Sequence, residues 1–357
     1  MKILSKIITL SIVALVVFAS TSTLQINTLA SLNLHTNDRK ISNIAVLLYS
    51  FDDSYMMQEK QSFEDIQKEN KDKVLFTFYD GKNNIAVQEE TFDSLLNSNI
   101  DLIILNLADR REEIVENFIL RAKQKNIPLI LTDIDPQVVS KVSKYYDKVV
   151  FISEDSKNAG TLEGKIIVDL WNTNKKSIDK NNDNILQYVL LEGEVNNPAA
   201  IDRTNYVIST INEAGIETQL LAKVNDNWLE KFAIDSVNSL FLKYNGKIEV
   251  IISNNDAMAI GAIKSLQKYG YNKGDKSKSI AVVGIDALPE AKDLIDKGFM
   301  TGTVVQNSKV RAEAEYAIGI NLINNLNPIE NTDYKIVNGE ITIPFSYELY
   351  TGKTNIP

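Results

Sequence analysis

The stretch "NNDAMAIGA", Asn254 to Ala262, and the stretch "GIDALPEA", Gly284 to Ala291, each follow a short apolar run and open an amphipathic one. They set Asn255, Asp256 and Asp286 at the C-terminal ends of expected strands. Asn and Asp can there cap the following helix, because their side-chain oxygens accept from its orphan N–H groups. They can equally hold a polar ligand in the crevice where open α/β sheets bind. Other strand ends repeat the pattern: "IAVLLY" is followed by Asp52, Asp53 and Tyr55, "LIIL" by Asn106, and "YVLL" by Asn196, Asn197 and Arg203. Amides, carboxylates and an arginine suit a hydroxyl-rich ligand, since each OH both donates and accepts. Tyr55 and Trp228 stand in polar surroundings and could cover the C–H faces of a sugar. Half-buried packing is the ordinary alternative for such aromatics.

A second constellation is "SIDKNNDNILQ", Ser177 to Gln187. With Asp179 as position 1, Asn181, Asp183, the Ile185 carbonyl and Gln187 fall at positions 3, 5, 7 and 9 of a calcium loop. Position 6 is Asn184 rather than Gly, though Asn tolerates the left-handed conformation. Position 12 is Leu190, so a bidentate carboxylate must come from elsewhere. By spacing alone the stretch reads equally as an Asn/Asp-rich turn. Its all-oxygen donor set excludes a soft metal as natural occupant.

Several chemistries are excluded. The chain has no cysteine, hence no disulfide, thiol nucleophile or thiolate-bound metal. Its single histidine, His35, precedes the expected folded region, which removes a Ser-His-Asp triad and a histidine-based zinc site. No G-x-G occurs, so a dinucleotide fingerprint is absent. The net charge of −9 argues against nucleic acid as partner. A glycosidase built on Asp53 and Asp286 would need paired carboxylates with one kept protonated. With no nucleophile–base pair in sight, the polar set binds rather than reacts, and no enzyme is expected.

These residues need a scaffold. At 357 residues, two domains are expected. Strand candidates are 44–49, 74–78, 102–107, 128–134, 148–152, 186–191, 218–222, 249–253, 280–285 and 302–305, with helical stretches between most of them. Continuous apolar strands alternating with helices mean parallel sheets covered on both faces. At the start, Lys2 and Lys6 precede the apolar run Ile7 to Ala19 and a Ser/Thr-rich stretch. This is a signal-peptide pattern, with cleavage after Ser20, Thr21 or as late as Ala30, or with retention as a membrane anchor. It implies an exported protein, periplasmic or extracellular. No cysteine follows the apolar run, so lipid attachment there is excluded.

"YSFDDSYM", "LEGE…NP…R", "NNDAMAIGA" and "GIDALPEA", in this order and spacing, resemble the periplasmic galactose/glucose-binding proteins of bacterial ABC transport and chemotaxis. The resemblance runs from about Asn43 to Tyr347 and implies a type I periplasmic binding protein, an α/β fold of two Rossmann-like lobes joined by three hinge crossings. It places the crossings near Asn126–Pro128, Val305–Gln306 and Gly339–Thr342. The implied organisation is 1–30 signal peptide or anchor, 31–42 linker, 43–127 plus 307–341 as N-terminal lobe, and 128–306 plus 342–357 as C-terminal lobe.

The resemblance further implies that Asp53 accepts near the sugar's O4, that Tyr55 and Trp228 cover its two faces, and that Asn106, Arg203, Asn255 and Asp286 hydrogen-bond it. Asp256 is then left to cap the helix after it. Asn197 stands where the family has His, Ala199 where it has a sugar-binding Asp, and Gln306 where it has Asn, so the choice of sugar is open. The family's sixth calcium ligand corresponds to Glu249, which joins Asp179, Asn181, Asp183, Ile185 and Gln187 around a structural Ca2+. A monosaccharide ligand is implied, with an ABC permease as partner, or a membrane histidine kinase or chemoreceptor if the protein is a sensor, and a monomeric state.

Overall fold

The computed structural model describes residues 40–352 apart from Asn245. The expected export segment, 1–30, and most of the 31–42 linker lie outside the described residues. Among the described residues no helix is long and apolar enough to cross a membrane.

Strand and helix alternate from the start. The first half comprises Ser42–Leu48 (β1), Ser54–Glu69 (α1), Val74–Asp80 (β2), Ile85–Leu96 (α2), Leu102–Asn106 (β3), Glu112–Lys125 (α3), Leu129–Thr132 (β4), Pro136–Val142 (α4) and Val149–Glu154 (β5). Ser156–Ile178 (α5), Ile185–Glu192 (β6), Pro198–Glu213 (α6), Glu217–Asn225 (β7), Glu230–Tyr244 (α7), Val250–Ser253 (β8), Asp256–Lys268 (α8) and Ala281–Ile285 (β9) follow. Pro289–Asp296 (α9), Gly302–Val305 (β10), Ser308–Ile323 (α10), Ile336–Val337 (β11), Glu340–Ile343 (β12) and Glu348–Tyr350 (β13) complete the chain. The apolar strands are covered on both faces: Ile44 to Leu47 of β1 are all fully buried. The helices supply the cover with one face each. In α1, Tyr55, Met56, Glu59, Phe63 and Ile66 point inward at helical spacing.

Two sheets result. The first has the order β11-β12-β5-β4-β3-β1-β2, the second β13-β10-β9-β8-β6-β7. All pairings are parallel except β11 with β12 and β13 with β10. In the first sheet β1 is flanked by β2 and β3, so chain direction across the sheet reverses there. In the second, β6 is flanked by β7 and β8. Such switch points open a crevice at the carboxyl ends of the strands. The loops after β1, β3, β6 and β8 carry Asp53, Asn106, Asn197 and Asn255.

The sheets correct the expected lobe boundaries. β4 pairs with β3, Ile103 against Leu129, and β5 pairs with β4, so both belong to the first lobe. Asn126–Pro128 is therefore no hinge: Asn126 is the left-handed residue ending α3, with φ of 55°. The chain first leaves this lobe after Glu154. It returns between Val305 and Ser308, where α10 packs on α1 and β3. It leaves again after Ile343, because β12 pairs with β5. Residues 128–154, and with β12 Thr342 and Ile343, thus move from the expected C-terminal lobe to the first one.

α10 is anchored by a charge cluster. Arg311, 1% exposed, meets Glu315 Oε1 at 3.0 Å, Glu59 Oε2 of α1 at 3.4 Å, Asp133 Oδ2 beyond β4 at 2.8 Å, and the Glu154 carboxylate. One guanidinium cannot balance four ionised carboxylates. Burial, with Arg311 opposing it and Glu315 adding to it, holds the Glu59 carboxyl well above the usual range. Removing one partner of a buried pair strands the other, at about 3–5 kcal/mol. Arg311→Met is expected to destabilise the protein by about that much in urea unfolding at neutral pH. The loss should shrink in acid, where the stranded carboxylates take up protons. A loss below about 1 kcal/mol at pH 7 would show the cluster to be no more than a surface-grade ion pair.

Candidate functional site

Each strand end contributes a polar side chain that is already partly used. Asp53 caps α1, its Oδ1 accepting from Tyr55 N at 2.8 Å and Met56 N at 3.0 Å, while the Tyr49 hydroxyl donates to Oδ2. Asn106 gives both amide hydrogens to the protein, to Thr132 Oγ1 at 2.8 Å and Asp133 Oδ2 at 3.0 Å. Its Oδ1 accepts from Arg110 at 3.3 Å. Asn197 caps α6 through Ala199 N at 2.9 Å. Asn255 caps α8 through Met258 N at 3.0 Å and donates to the Trp228 carbonyl at 3.1 Å.

Asp256 does not cap that helix, contrary to expectation. Its side chain turns inward and accepts from Leu288 N at 2.8 Å and Thr303 Oγ1 at 2.7 Å. These bonds tie the loop after β9 to β10. Burial pushes its carboxyl up to about 7.

Asp286 follows β9 with φ of 118°, a conformation rarely adopted outside glycine. Its carboxylate lies 3.8 Å from Arg203 Nη1, beyond hydrogen-bond reach, and no closer donor is present among the described residues. Burial holds it well above the usual carboxylate range, against the pull of Arg203. Arg203, one turn into α6, donates to the Asn254 carbonyl at 2.8 Å and to Gln306 Oε1 at 2.7 Å. Its Nε is buried without a partner among the described residues. Asp286 and Arg203 thus offer unused acceptors and an unused donor side by side.

Aromatic walls flank these groups. Tyr55 is buried in the first turn of α1, its hydroxyl 3.2 Å from Glu154 Oε1. Trp228 sits in the loop before α7, where Asn227 and Trp228 both have positive φ, 50° and 67°. The indole rests on Gly193: a Cβ there would lie 2.2 Å from the ring. The Arg203 guanidinium lies 5.6 Å from the ring centroid.

All nine residues expected to contact a ligand line one cavity between the lobes, as does Ala199. Its cavity volume is about 50 Å3, well under that of an ordinary small-molecule site, so the walls must part to admit a ligand. Six further residues line it: Tyr49, Met56, Arg110, Asp133, Glu154 and Arg311. Asp133 and Glu154 lie at or just past the ends of β4 and β5, so the strand-end argument reaches them once those strands are placed in the first lobe. Arg311, inside an amphipathic helix, carries no such signal.

The second constellation also gathers. Asp179 ends α5, 3% exposed; its Oδ2 accepts from Asn184 N at 3.2 Å, and its buried Oδ1 has no partner among the described residues. The amides of Asn181 and Gln187 donate to Asp183 Oδ2 at 2.9 and 2.8 Å. Glu249 closes the loop from β8's edge, accepting from Lys180 N at 2.7 Å and Gln187 N at 3.0 Å. Asn182 and Asn184 take left-handed φ of 59° and 64°. Burial raises the Glu249 carboxyl, and Asp179 and Asp183 add to the shift. Among the described residues no three acidic, His or Cys side chains converge tightly enough to hold a metal unaided. A cation would need the amide and carbonyl oxygens as well.

Comparisons with known proteins place this architecture. Residues 44–326 match the profile of the periplasmic binding protein domain. The chain is 32% identical over 307 residues to the D-galactose/methyl-galactoside binding periplasmic protein of Haemophilus influenzae, covering 85% of this chain and 88% of the relative. It is 24% identical over 281 residues to the xylitol-binding protein of Mycolicibacterium smegmatis, covering 78% and 72%. Among solved structures, a galactofuranose binding protein superposes with a TM-score of 0.71 at 19% identity, covering 88% and 95% of the two chains.

The seat of Trp228 can be tested without any ligand. Gly193→Ala is expected to displace the indole, changing its near-ultraviolet dichroism and costing about 1–3 kcal/mol, as overpacking does. An unchanged spectrum and stability would mean that the ring has room to spare.

Proposed function

The chain belongs to the periplasmic binding proteins, which bind solutes and are not enzymes, and on that premise we propose that it captures a galactose- or glucose-like hexose in the interlobe cavity and delivers it to an ABC permease. The observation that carries this reading is the pairing of unused groups: the Asp286 carboxylate and the Arg203 Nε, beside the Trp228 ring. A hydroxyl that donates to the first and accepts from the second satisfies both, while the ring takes an apolar C–H face. Asp53 and Asn106 approach from the first lobe, Asn197, Asn255 and Asp286 from the second, so a ligand that touches both sets favours the closed form. Ala199 supplies no acceptor, which widens the choice of sugar. Titration of purified protein with D-galactose, D-glucose, D-allose, D-xylose and myo-inositol should give a change in tryptophan emission for at least one. Trp228→Ala should abolish the emission change, leaving Trp171 as the control, and weaken binding by roughly 1 kcal/mol or more in calorimetric titration. If no sugar or polyol of the panel binds at millimolar concentration, the hexose reading fails.

The loop at 179–187 supports a structural calcium ion in the same reading. Asp179, Asn181, Asp183 and Gln187, the Ile185 carbonyl and Glu249 would hold it, with the partnerless Asp179 Oδ1 as the most direct sign. Three carboxylates brought together repel unless a cation or protons neutralise them. A cation that binds only the folded state stabilises it in proportion to the logarithm of its concentration over Kd. Chelator is expected to lower the melting temperature and calcium to restore it better than magnesium, which demands a tighter octahedral site. Glu249→Gln should abolish most of that response. Melting curves indifferent to both chelator and calcium would leave the loop a polar turn.

A further inference from the structure

One ion pair crosses the mouth of the cavity. Arg110 lies in the loop after β3 of the first lobe and Glu194 in the loop after β6 of the second. Arg110 Nη1 donates to Glu194 Oε2 at 2.6 Å, with the two side chains only 9% and 19% exposed. Each partner also touches a residue of the candidate site. Arg110 Nη2 donates to Asn106 Oδ1 at 3.3 Å, and Asn197 Nδ2 lies 3.5 Å from Glu194 Oε2. The guanidinium carbon is 6.0 Å from the Tyr49 ring centroid, and Tyr49 in turn holds Asp53. Arg110 lines the inner cavity and also the outer groove, whose walls include Glu194, Val195 and Lys141. The pair is thus the partition between the two spaces.

We infer that Arg110 and Glu194 form the latch of the cleft: positioning residues that hold Asn106 and Asn197 on opposite sides of the ligand and set the rate at which it leaves. This rests on the reading of the cavity as a sugar site. Opening the lobes separates the charges into water, and closing them joins the pair where little solvent screens it, so its contribution is specific to the closed form. Close interfacial charge pairs act chiefly on dissociation when they are buried. A second cross-lobe pair provides the contrast. Lys231 and Asp52 lie 3.9 Å apart with side chains 64% and 73% exposed, and pairs of that kind contribute little.

The test is stopped-flow tryptophan fluorescence of the full chain with D-galactose. Arg110→Ala and Glu194→Ala are each expected to raise the dissociation rate about tenfold, with association changed by less than about threefold. The double variant should dissociate no faster than the single ones, since both remove the same contact. The exchange Arg110→Glu with Glu194→Arg should recover part of the loss. Asp52→Ala and Lys231→Ala should leave the rate within about twofold. Unchanged dissociation in either single variant, or effects that multiply in the double variant, would overturn the latch. Failure of D-galactose to bind the wild type would count against galactose as the ligand and not against the latch. The latch is then read with D-glucose, D-allose, D-xylose or myo-inositol, whichever binds, where each single variant should again dissociate about tenfold faster and unchanged dissociation would overturn it.

Discussion

Where β5 ends and the chain leaves the first lobe, the Glu154 carboxylate is buried between guanidinium groups of the two lobes. Arg311 and the Tyr55 hydroxyl donate to Oε1, Gln306 donates to Oε2 at 2.7 Å, and Arg203 stands 3.6 Å away. Burial raises its carboxyl above the usual range, while Arg311 and Arg203 draw it down. Such a buried pair is weak evidence of stability, because desolvation offsets much of the attraction. What it fixes is geometry. Glu154 and Gln306 stand at two of the three points where the chain passes between lobes, and Arg203 and Tyr55 belong to opposite walls of the cavity. The carboxylate therefore sets the aromatic wall, the central arginine and the hinge in one frame.

The alternation of strands and helices was legible because parallel strands buried on both faces must be continuous apolar runs. All ten expected strands exist within a few residues of their stated ends. The three missed, β11 to β13, are only two to four residues long, too short to show a periodic pattern even where, as at Ile341 and Ile343 of β12, the side chains are fully buried. Lobe membership was not legible, since nothing local to β4 or β5 says which sheet they join; that is decided by pairing with residues far along the chain. The site was legible to the extent that it follows strand ends. Glu154 escaped because a carboxylate before "DSK" looks like one more surface acid, and Arg311 because "KVRAEAEY" reads as a solvated helix. Their burial is a property of the cluster, visible only when α1, β4, β5 and α10 are brought together.

The choice between capping and ligand binding, posed by the strand-end residues, turns out to be a false one. Asp53, Asn197 and Asn255 each use a side-chain oxygen as a helix cap and still line the cavity. Capping fixes the rotamer, so no side-chain freedom remains to be lost when a ligand arrives, and preorganisation of this kind favours affinity. Asp286 is the exception. It caps nothing, holds a strained φ, and keeps its oxygens free. Backbone strain of this sort persists only where the surroundings over-determine it. Here Asp256 provides that constraint through Leu288 N and Thr303.

These contacts divide into two kinds with different consequences for binding. The contacts of Arg311 with Glu59, Asp133 and Glu315 lie within one lobe, so they can be as strong as folding requires. The contacts of Arg203 through Gln306 to Glu154, and of Arg110 to Glu194, span lobes or hinge and enter the equilibrium between open and closed forms directly. A ligand shifts that equilibrium only by its differential affinity for the two states. Cross-lobe contacts that were too strong would close the cleft before a ligand entered and slow its entry. Contacts that were too weak would tax affinity by the fraction of molecules able to close. A pair at the mouth that is shielded from solvent only when the walls meet, with two of the site's amides attached to it, is suited to that intermediate strength, because it is readily rehydrated when they part.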